Sequence, residues 1–362
     1  MQKNKSKLSR FEKNNISYVE AINSALIKIM KKNKKVICFG LGINDPKNIF
    51  GSTKNLLHYF GSKRVFDIPT SENALTGVAV GLSLNSYIPI MMHQRFDFFL
   101  LAIDQLVNSA AKWKFMFGHK RKFKMVFRLI IGRGWGQGPT HSQNYISWFR
   151  NVPNIKIFCP TFPDDAYKLY LKLPSIEGPI IIVEHRWVHF QKQKIKLLNN
   201  KKNIFKCNFL SKGNNLTIVS YSYSTIEIIK LYKILKKNRI AFDHIDLNSI
   251  KPLDNNSILK SLKKTGRLLI LDNMSFPYCS VGKDIISMIA EKNVKLLKKS
   301  PLLLTLPDMP TPTSYFQTKN YYISHKKIIS KIEMLLGKKI KYKNFSKEIN
   351  HDKPDSSFTG PF

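Results

Sequence analysis

The chain has 362 residues, 43% apolar and 12% aromatic, which suits about two domains of roughly 150 residues each and excludes a disordered polymer. Its 60 Lys and Arg against 23 Asp and Glu leave a net charge of +37, a field that would draw nucleic acid, an anionic membrane or an acidic partner. The lysines are scattered along the whole chain, however, and no RNA-recognition signature, zinc finger or basic heptad helix accompanies them, so nucleic acid is not the expected partner.

The opening MQKNKSKLSRFEKNN is basic, but it runs into a helix-like SYVEAINSALIKIM and not into a signal-peptide apolar core, so export is not expected. Short strand-like runs then alternate with helical segments: KVICFG (35–40), RVFDI (64–68), a helix after Ser71, YIPIMM (87–92), a longer helix over 98–117, KMVFRLII (124–131), IKIFC (155–159), a helix after Pro163, and PIIIVE (179–184). This is the pattern of a parallel sheet covered on both faces. FFLLAIDQLV is the best membrane-span candidate and is broken by Asp104, far short of the roughly 18 apolar residues needed. After Val188 the chain turns polar and basic, reading as a linker, and a second series begins: LTIVSY (216–221), a helix over 224–237, AFDHIDL (241–247), a helix over 255–264, RLLILD (267–272), a helix over 281–291, PLLLTLP (301–307) and a last helix over 325–337. The expected organisation is therefore one α/β domain over 1–190, a linker over 191–212, a smaller α/β domain over 213–337 and a flexible or docking tail over 338–362. Cys38, Cys159, Cys207 and Cys279 form no CxxC pair and read as reduced core cysteines of a cytoplasmic protein.

Two stretches carry candidate chemistry. GRGWGQGPTHSQN (132–144) packs four glycines before a histidine; it lacks the GK[ST] of a P-loop and the position of a dinucleotide fingerprint, yet it follows a strand, where open parallel sheets hold ligands. His141 there is either a solvated loop residue or a group for proton transfer and anion binding. In PTSENALTGVAVGLSL, Glu72 follows a strand and opens a helix; it is either an ordinary carboxylate favoured by the helix dipole or a buried one that shares a proton with a heterocycle nitrogen.

Taken in order, RVFDIPTSENALTGVAVGLSL, HQRFDFFLLAIDQLVNSAAKWKFMFG, GPTHSQ, VPNIKIFCPTFPDDAYKLYL and GPIIIVE resemble the beta subunit of thiamine-diphosphate-dependent 2-oxo acid dehydrogenases. VSYSYSTIEIIKLYKIL, IDLNSIKPLD, TGRLLILDN and LPDMPTP resemble that family's transketolase C-terminal domain. The resemblance runs from about 17 to 337 and implies an α/β fold of two doubly wound domains, a pyrimidine-binding thiamin diphosphate fold plus a transketolase C-terminal-like domain. It implies that Glu72 is the glutamate that hydrogen-bonds the cofactor's pyrimidine nitrogen and activates it. Phe98 matches the aromatic packed on the pyrimidine, Gln94 a residue lining the cofactor pocket, Thr70 a residue of the segment leading into the glutamate, and His141 the histidine facing substrate and acyl acceptor. The departures are Leu41 where the family commonly has an acid, Met92 where it often has Glu before the pocket glutamine, and an unusual Arg133 and Trp135 in the glycine-rich loop.

The resemblance further implies thiamine diphosphate shared with a partner alpha subunit. The superfamily holds the diphosphate through a cation at a GDG sequence followed at a distance by Asn. No GDG occurs here, so no metal ligand is assigned to this chain and Mg2+ is expected on the partner. A two-alpha, two-beta assembly with a beta–beta contact and a lipoyl acyltransferase as acceptor complete the expected partners. Two alternatives remain open from the sequence: transketolase-like transfer of a ketol or aldehyde unit, and a non-catalytic basic binding protein.

Overall fold

The computed structural model describes residues 15–118, 122–194, 203–342, 351–354 and 358. They fall into two compact units, one within residues 15–131, 149–204 and 358, the other within 132–148 and 205–354. The glycine-rich stretch thus groups with the second unit although in sequence it interrupts the first.

In the first unit, helix α1 (Tyr18–Lys32) starts at a capping box in which Ser17 and Glu20 satisfy each other's backbone amides. Strands β1 (Val36–Gly40) and β2 (Val65–Phe66), helix α2 (Glu72–Leu84), strands β3 (Ile88–His93), β4 (Lys124–Ile131) and β5 (Lys156–Phe158), helix α3 (Pro163–Lys172) and strand β6 (Gly178–His185) follow. The strands pair in parallel in the order β5-β6-β4-β3-β1-β2. β1 and β3 are buried at every residue, which is why their sequences are continuous apolar runs and not alternating ones. Gly40 closes β1 because a side chain there would meet the Met92 carbonyl at 2.2 Å.

The second unit holds β7 (Asn208–Ser211), β8 (Leu216–Ser220), α4 (Tyr223–Lys237), β9 (Phe242–Asp246), α5 (Asn255–Thr265), β10 (Leu268–Asp272), α6 (Val281–Lys292), β11 (Leu302–Thr305), α7 (Tyr315–Tyr321) and α8 (His325–Leu336). Its sheet runs β11-β10-β8-β9-β7, parallel except for the antiparallel edge strand β7. Leu216 and Ile218 of β8, Leu231 and Leu235 of α4 and Ile328 and Ile332 of α8 share one buried apolar cluster. Both units have the expected α/β architecture. Among the described residues no helix is long and apolar enough to cross a membrane.

Three local differences separate structure from expectation, and part of the expected tail is not described. The helix over 98–117 is instead one α-turn (Phe96–Phe99), a 3-10 turn (Leu100–Ala102), a π-helical stretch (Gln105–Ala110) and a short α-helix (Trp113–Phe117), a change of hydrogen-bond register that apolar periodicity does not report. Residues 192–194 and 208–211, inside the expected linker, are strands; 195–202 lie outside the described residues. Of the expected tail, 343–350, 355–357 and 359–362 also lie outside them. The cysteines are free thiols, but only Cys38 and Cys159 are buried; Cys207 is partly exposed and Cys279 is exposed.

The first unit's interior carries a charge network. Arg128 of β4 donates through Nε and Nη2 to the two carboxylate oxygens of Glu184 on β6, at 2.9 and 2.7 Å, with both side chains fully buried. Glu184 lies two residues beyond Ile182, the cross-strand partner of Arg128, so both side chains emerge on the same face. The Tyr170 hydroxyl donates to Glu184 at 2.6 Å, His189 Nε2 lies 3.3 Å from it, and Arg128 Nη1 reaches Ser52 Oγ at 2.6 Å. Burial alone would raise the Glu184 carboxyl, but Arg128 and His189 bring it down to about 2. Glu184→Gln is therefore expected to cost about 3 kcal/mol or more in chemical denaturation near neutral pH, the scale of breaking a buried pair from one side. Because the folded value lies below the ordinary 4.5, this advantage is full above pH 4.5 and is lost as pH falls towards 2, so the gap between wild type and variant should close across that window.

Candidate active site

The carboxyl ends of β1, β2 and β3 open onto one edge of the first sheet, the edge where parallel α/β sheets place ligands. Past β1 the chain turns at Leu41 and Gly42. Gln94, just beyond β3, donates from Nε2 to the Leu41 carbonyl at 3.2 Å, and Asp67, just beyond β2, accepts the Gly42 amide at 3.0 Å. Gly42 has φ +72°, and a side chain on it would meet Gln94 Nε2 at 2.2 Å, so the tight turn requires glycine. These contacts tie together the three segments that carry Leu41, Thr70 and Gln94.

Asp67 also accepts the Ile68 amide at 2.8 Å, and the chain passes through Pro69, exposed Thr70 and Ser71 into α2. Glu72 is the first residue of that helix and is 8% exposed. Among the described residues its carboxylate makes neither a hydrogen bond nor an ion pair, and neither of its oxygens is one of the fully buried unsatisfied atoms, so the stem is covered while the acid end remains reachable. The helix N-terminus supplies only partial positive charge there. A side chain so placed is suited to meet a donor brought by a bound molecule.

Phe98 is half-buried in the turn Phe96–Phe99, whose Phe96 and Phe99 are fully buried, Phe96 stacking on Phe149 at 5.5 Å. Met92, where an acid was the family's common choice, is fully buried with its sulfur 3.9 Å from Arg128 Nη1, whereas Leu41 is exposed. Thr70, Glu72, Gln94 and Phe98 thus all belong to the first unit.

His141 belongs to the second unit. It is exposed, follows a 3-10 turn over Gly138–Thr140, and has the Thr140 hydroxyl 3.0 Å from Nδ1, which orients the ring. In the same loop the buried Arg133 guanidinium lies over the rings of Tyr223 and Tyr322, at 5.1 and 4.6 Å from their centroids.

Sequence reading missed two features. The Arg128–Glu184 network was signalled by two opposite charges inside otherwise apolar strand runs. Arg95 and Arg186, which follow β3 and β6, both approach the Phe50 ring, at 5.9 and 4.5 Å. Burial, with the Arg95 charge added, pulls the Arg186 guanidinium down to about 10.

Comparison with known proteins agrees with this architecture. Residues 14–188 match the family model "Transketolase, pyrimidine binding domain" and 206–329 match "Transketolase, C-terminal domain". The pyruvate dehydrogenase E1 component subunit beta of Saccharomyces cerevisiae is 32% identical over 81% of this chain and 81% of its own length. The corresponding Rickettsia felis subunit is 30% identical over 82% and 91%. The beta subunit of acetoin:2,6-dichlorophenolindophenol oxidoreductase from Bacillus subtilis is 29% identical over 89% and 97%. A solved split-gene transketolase, an inactive beta4 tetramer, shares the fold at TM-score 0.70 and 19% identity, covering 90% of this chain and 99% of that one. Two domain models in the expected order, and relatives matched over most of both chains, establish that this chain belongs to the family of beta subunits of thiamine-diphosphate-dependent 2-oxo acid dehydrogenases.

Proposed function

We propose that this chain supplies the pyrimidine-binding half of a thiamine diphosphate site and works with an alpha chain to decarboxylate a 2-oxo acid. The observation that carries the reading is Glu72: a helix-start residue only 8% exposed at the ligand edge of the sheet, whose carboxylate has no partner among the described residues, fits a protonated ring nitrogen. When bound, thiamine diphosphate supplies a carbon nucleophile and a sink for the electrons released on loss of carbon dioxide. Glu72 holds and returns a proton at its carboxyl oxygen, Phe98 offers a ring face to the pyrimidine, Gln94 lines the pocket while bracing the Leu41 turn, and Thr70 borders the entry into α2. His141, oriented by Thr140, binds the substrate's carboxylate and serves the transfer to the acceptor.

The finer assignments extend the same reading. Residues 1–190 form the pyrimidine-binding domain, 191–212 the linker, 213–337 the C-terminal domain and 338–362 the tail. Without a GDG sequence, the chain leaves the diphosphate and its Mg2+ to the alpha subunit, in a cytoplasmic two-alpha, two-beta assembly that passes its acyl unit to a lipoyl acyltransferase.

Glu72→Gln should leave the fold intact and lower kcat of the reconstituted enzyme by about a hundredfold or more, because an amide cannot exchange the proton. Turnover within a few-fold of wild type would defeat the assignment. His141→Ala should leave the cofactor's Kd unchanged while kcat/KM for the 2-oxo acid drops by about a hundredfold; unaltered kinetics would return His141 to an ordinary loop residue. Titration calorimetry with thiamine diphosphate and Mg2+ should register negligible binding to this chain alone and clear binding once it is co-expressed with its alpha chain. Tight binding by the isolated chain would refute the split site.

A further inference from the structure

We infer that His351 and Asp352, near the C-terminal end of the sequence, form a positioning clamp on the glycine-rich loop and hold it in the conformation that presents His141. The functional half of this inference rests on the role proposed above for His141; the clamp itself does not.

The loop has an improbable backbone. Gly134, Gly136 and Gly138 have φ of +87°, +66° and +63°, and between the first two stands Trp135 at +55°. For a bulky residue the left-handed region is strained, at a cost of about 1–3 kcal/mol, and persists only where the surroundings over-determine it. Three contacts within the second unit do so. Arg133 is sandwiched by Tyr223 and Tyr322 on the near side. On the far side Gly138 is pressed so closely against Thr313 that a Cβ would stand 2.4 Å from Thr313 Cγ2. At the strained residue itself, the Trp135 amide donates to the Asp352 carbonyl at 3.1 Å.

The segment that supplies this carbonyl is anchored independently of the loop. His351 Nε2 donates to the Tyr315 carbonyl at 2.9 Å and lies 3.0 Å from Thr318 Oγ1, while its ring packs on Tyr315 with centroids 4.4 Å apart. The Thr318 hydroxyl also approaches the Asp352 carboxylate at 3.4 Å, and Asp352 is 5% exposed. Helix α7 is thus the fixed body, His351 and Asp352 the strap fastened to it, and Trp135 the point gripped. Both strap residues are assigned a role of position: they hold the loop that carries His141.

The test compares wild type with a His351→Ala/Asp352→Ala double variant and with Asp352→Asn, which keeps an acceptor for Thr318. Amide hydrogen exchange followed by mass spectrometry should show the 132–138 segment exchanging about tenfold faster in the double variant, the size expected for loss of one ordinary backbone hydrogen bond. Exchange through α4, α5 and α8 should stay unchanged, and Asp352→Asn should behave as wild type. In the reconstituted enzyme the double variant should lose about tenfold in kcat/KM for the 2-oxo acid at unchanged cofactor Kd, because a loop freed from its strap settles with His141 displaced from the productive geometry. Unchanged exchange at 132–138, or faster exchange spread evenly over 205–342, overturns the clamp. A local rise in exchange with unaltered kinetics overturns its link to His141. If no 2-oxo acid is turned over by wild type, the proposed function fails while the exchange result still decides the clamp.

Discussion

Arg128 and Glu184 place two full charges in the middle of a sheet that is otherwise apolar. Stripping the hydration from each ion costs several kcal/mol, and the attraction between them offsets that cost only if the remaining donors and lone pairs are also satisfied. The surrounding elements meet that requirement. Ser52 comes from the segment between β1 and β2, Tyr170 from α3, and His189 from the turn beyond β6, where it stacks on Tyr18 of α1. None of these pieces can shift far without stranding a buried charge, so one ion pair fixes the mutual placement of a loop, two helices and two central strands. The ligand edge of the first sheet inherits its geometry from that constraint.

Met92 shows how the network limits the site above it. Its thioether lies against Arg128 Nη1. A carboxylate at position 92 would compete with Glu184 for the same guanidinium, and the cluster would then carry two negative groups against one cation. With methionine the pair remains one to one.

The strands were the most legible part of the sequence, because continuous apolar runs such as VICFG and LLILD mean fully buried parallel strands whatever their partners. The helix over 98–117 was misread in detail, since its apolar residues keep facing the core while the hydrogen bonds pass through 3-10 and π registers. The stretch between β1 and β2 was illegible: Asn48, Ile49, Phe50 and Asn55 all take positive φ although none of them is a glycine, the residue that usually announces it. At the site, position 72 could be placed at a helix start from the sequence, but its lack of a partner is a three-dimensional fact. The grouping of 132–148 with the second unit depends on contacts with Thr313, Tyr322 and Asp352, residues far away along the chain that no local pattern connects.

Gly40 and Leu41 stand side by side with opposite freedoms. Any side chain at position 40 would drive into the Met92 carbonyl 2.2 Å away, whereas Leu41 projects to the exterior. Mutational drift at this rim of the sheet is therefore channelled: the floor residue is locked, and the next one can change polarity without disturbing the strands. Replacement of an acid by leucine at that spot is the kind of change the scaffold absorbs at little cost to folding. Chains of this architecture can accordingly diversify their rims while their cores stand still.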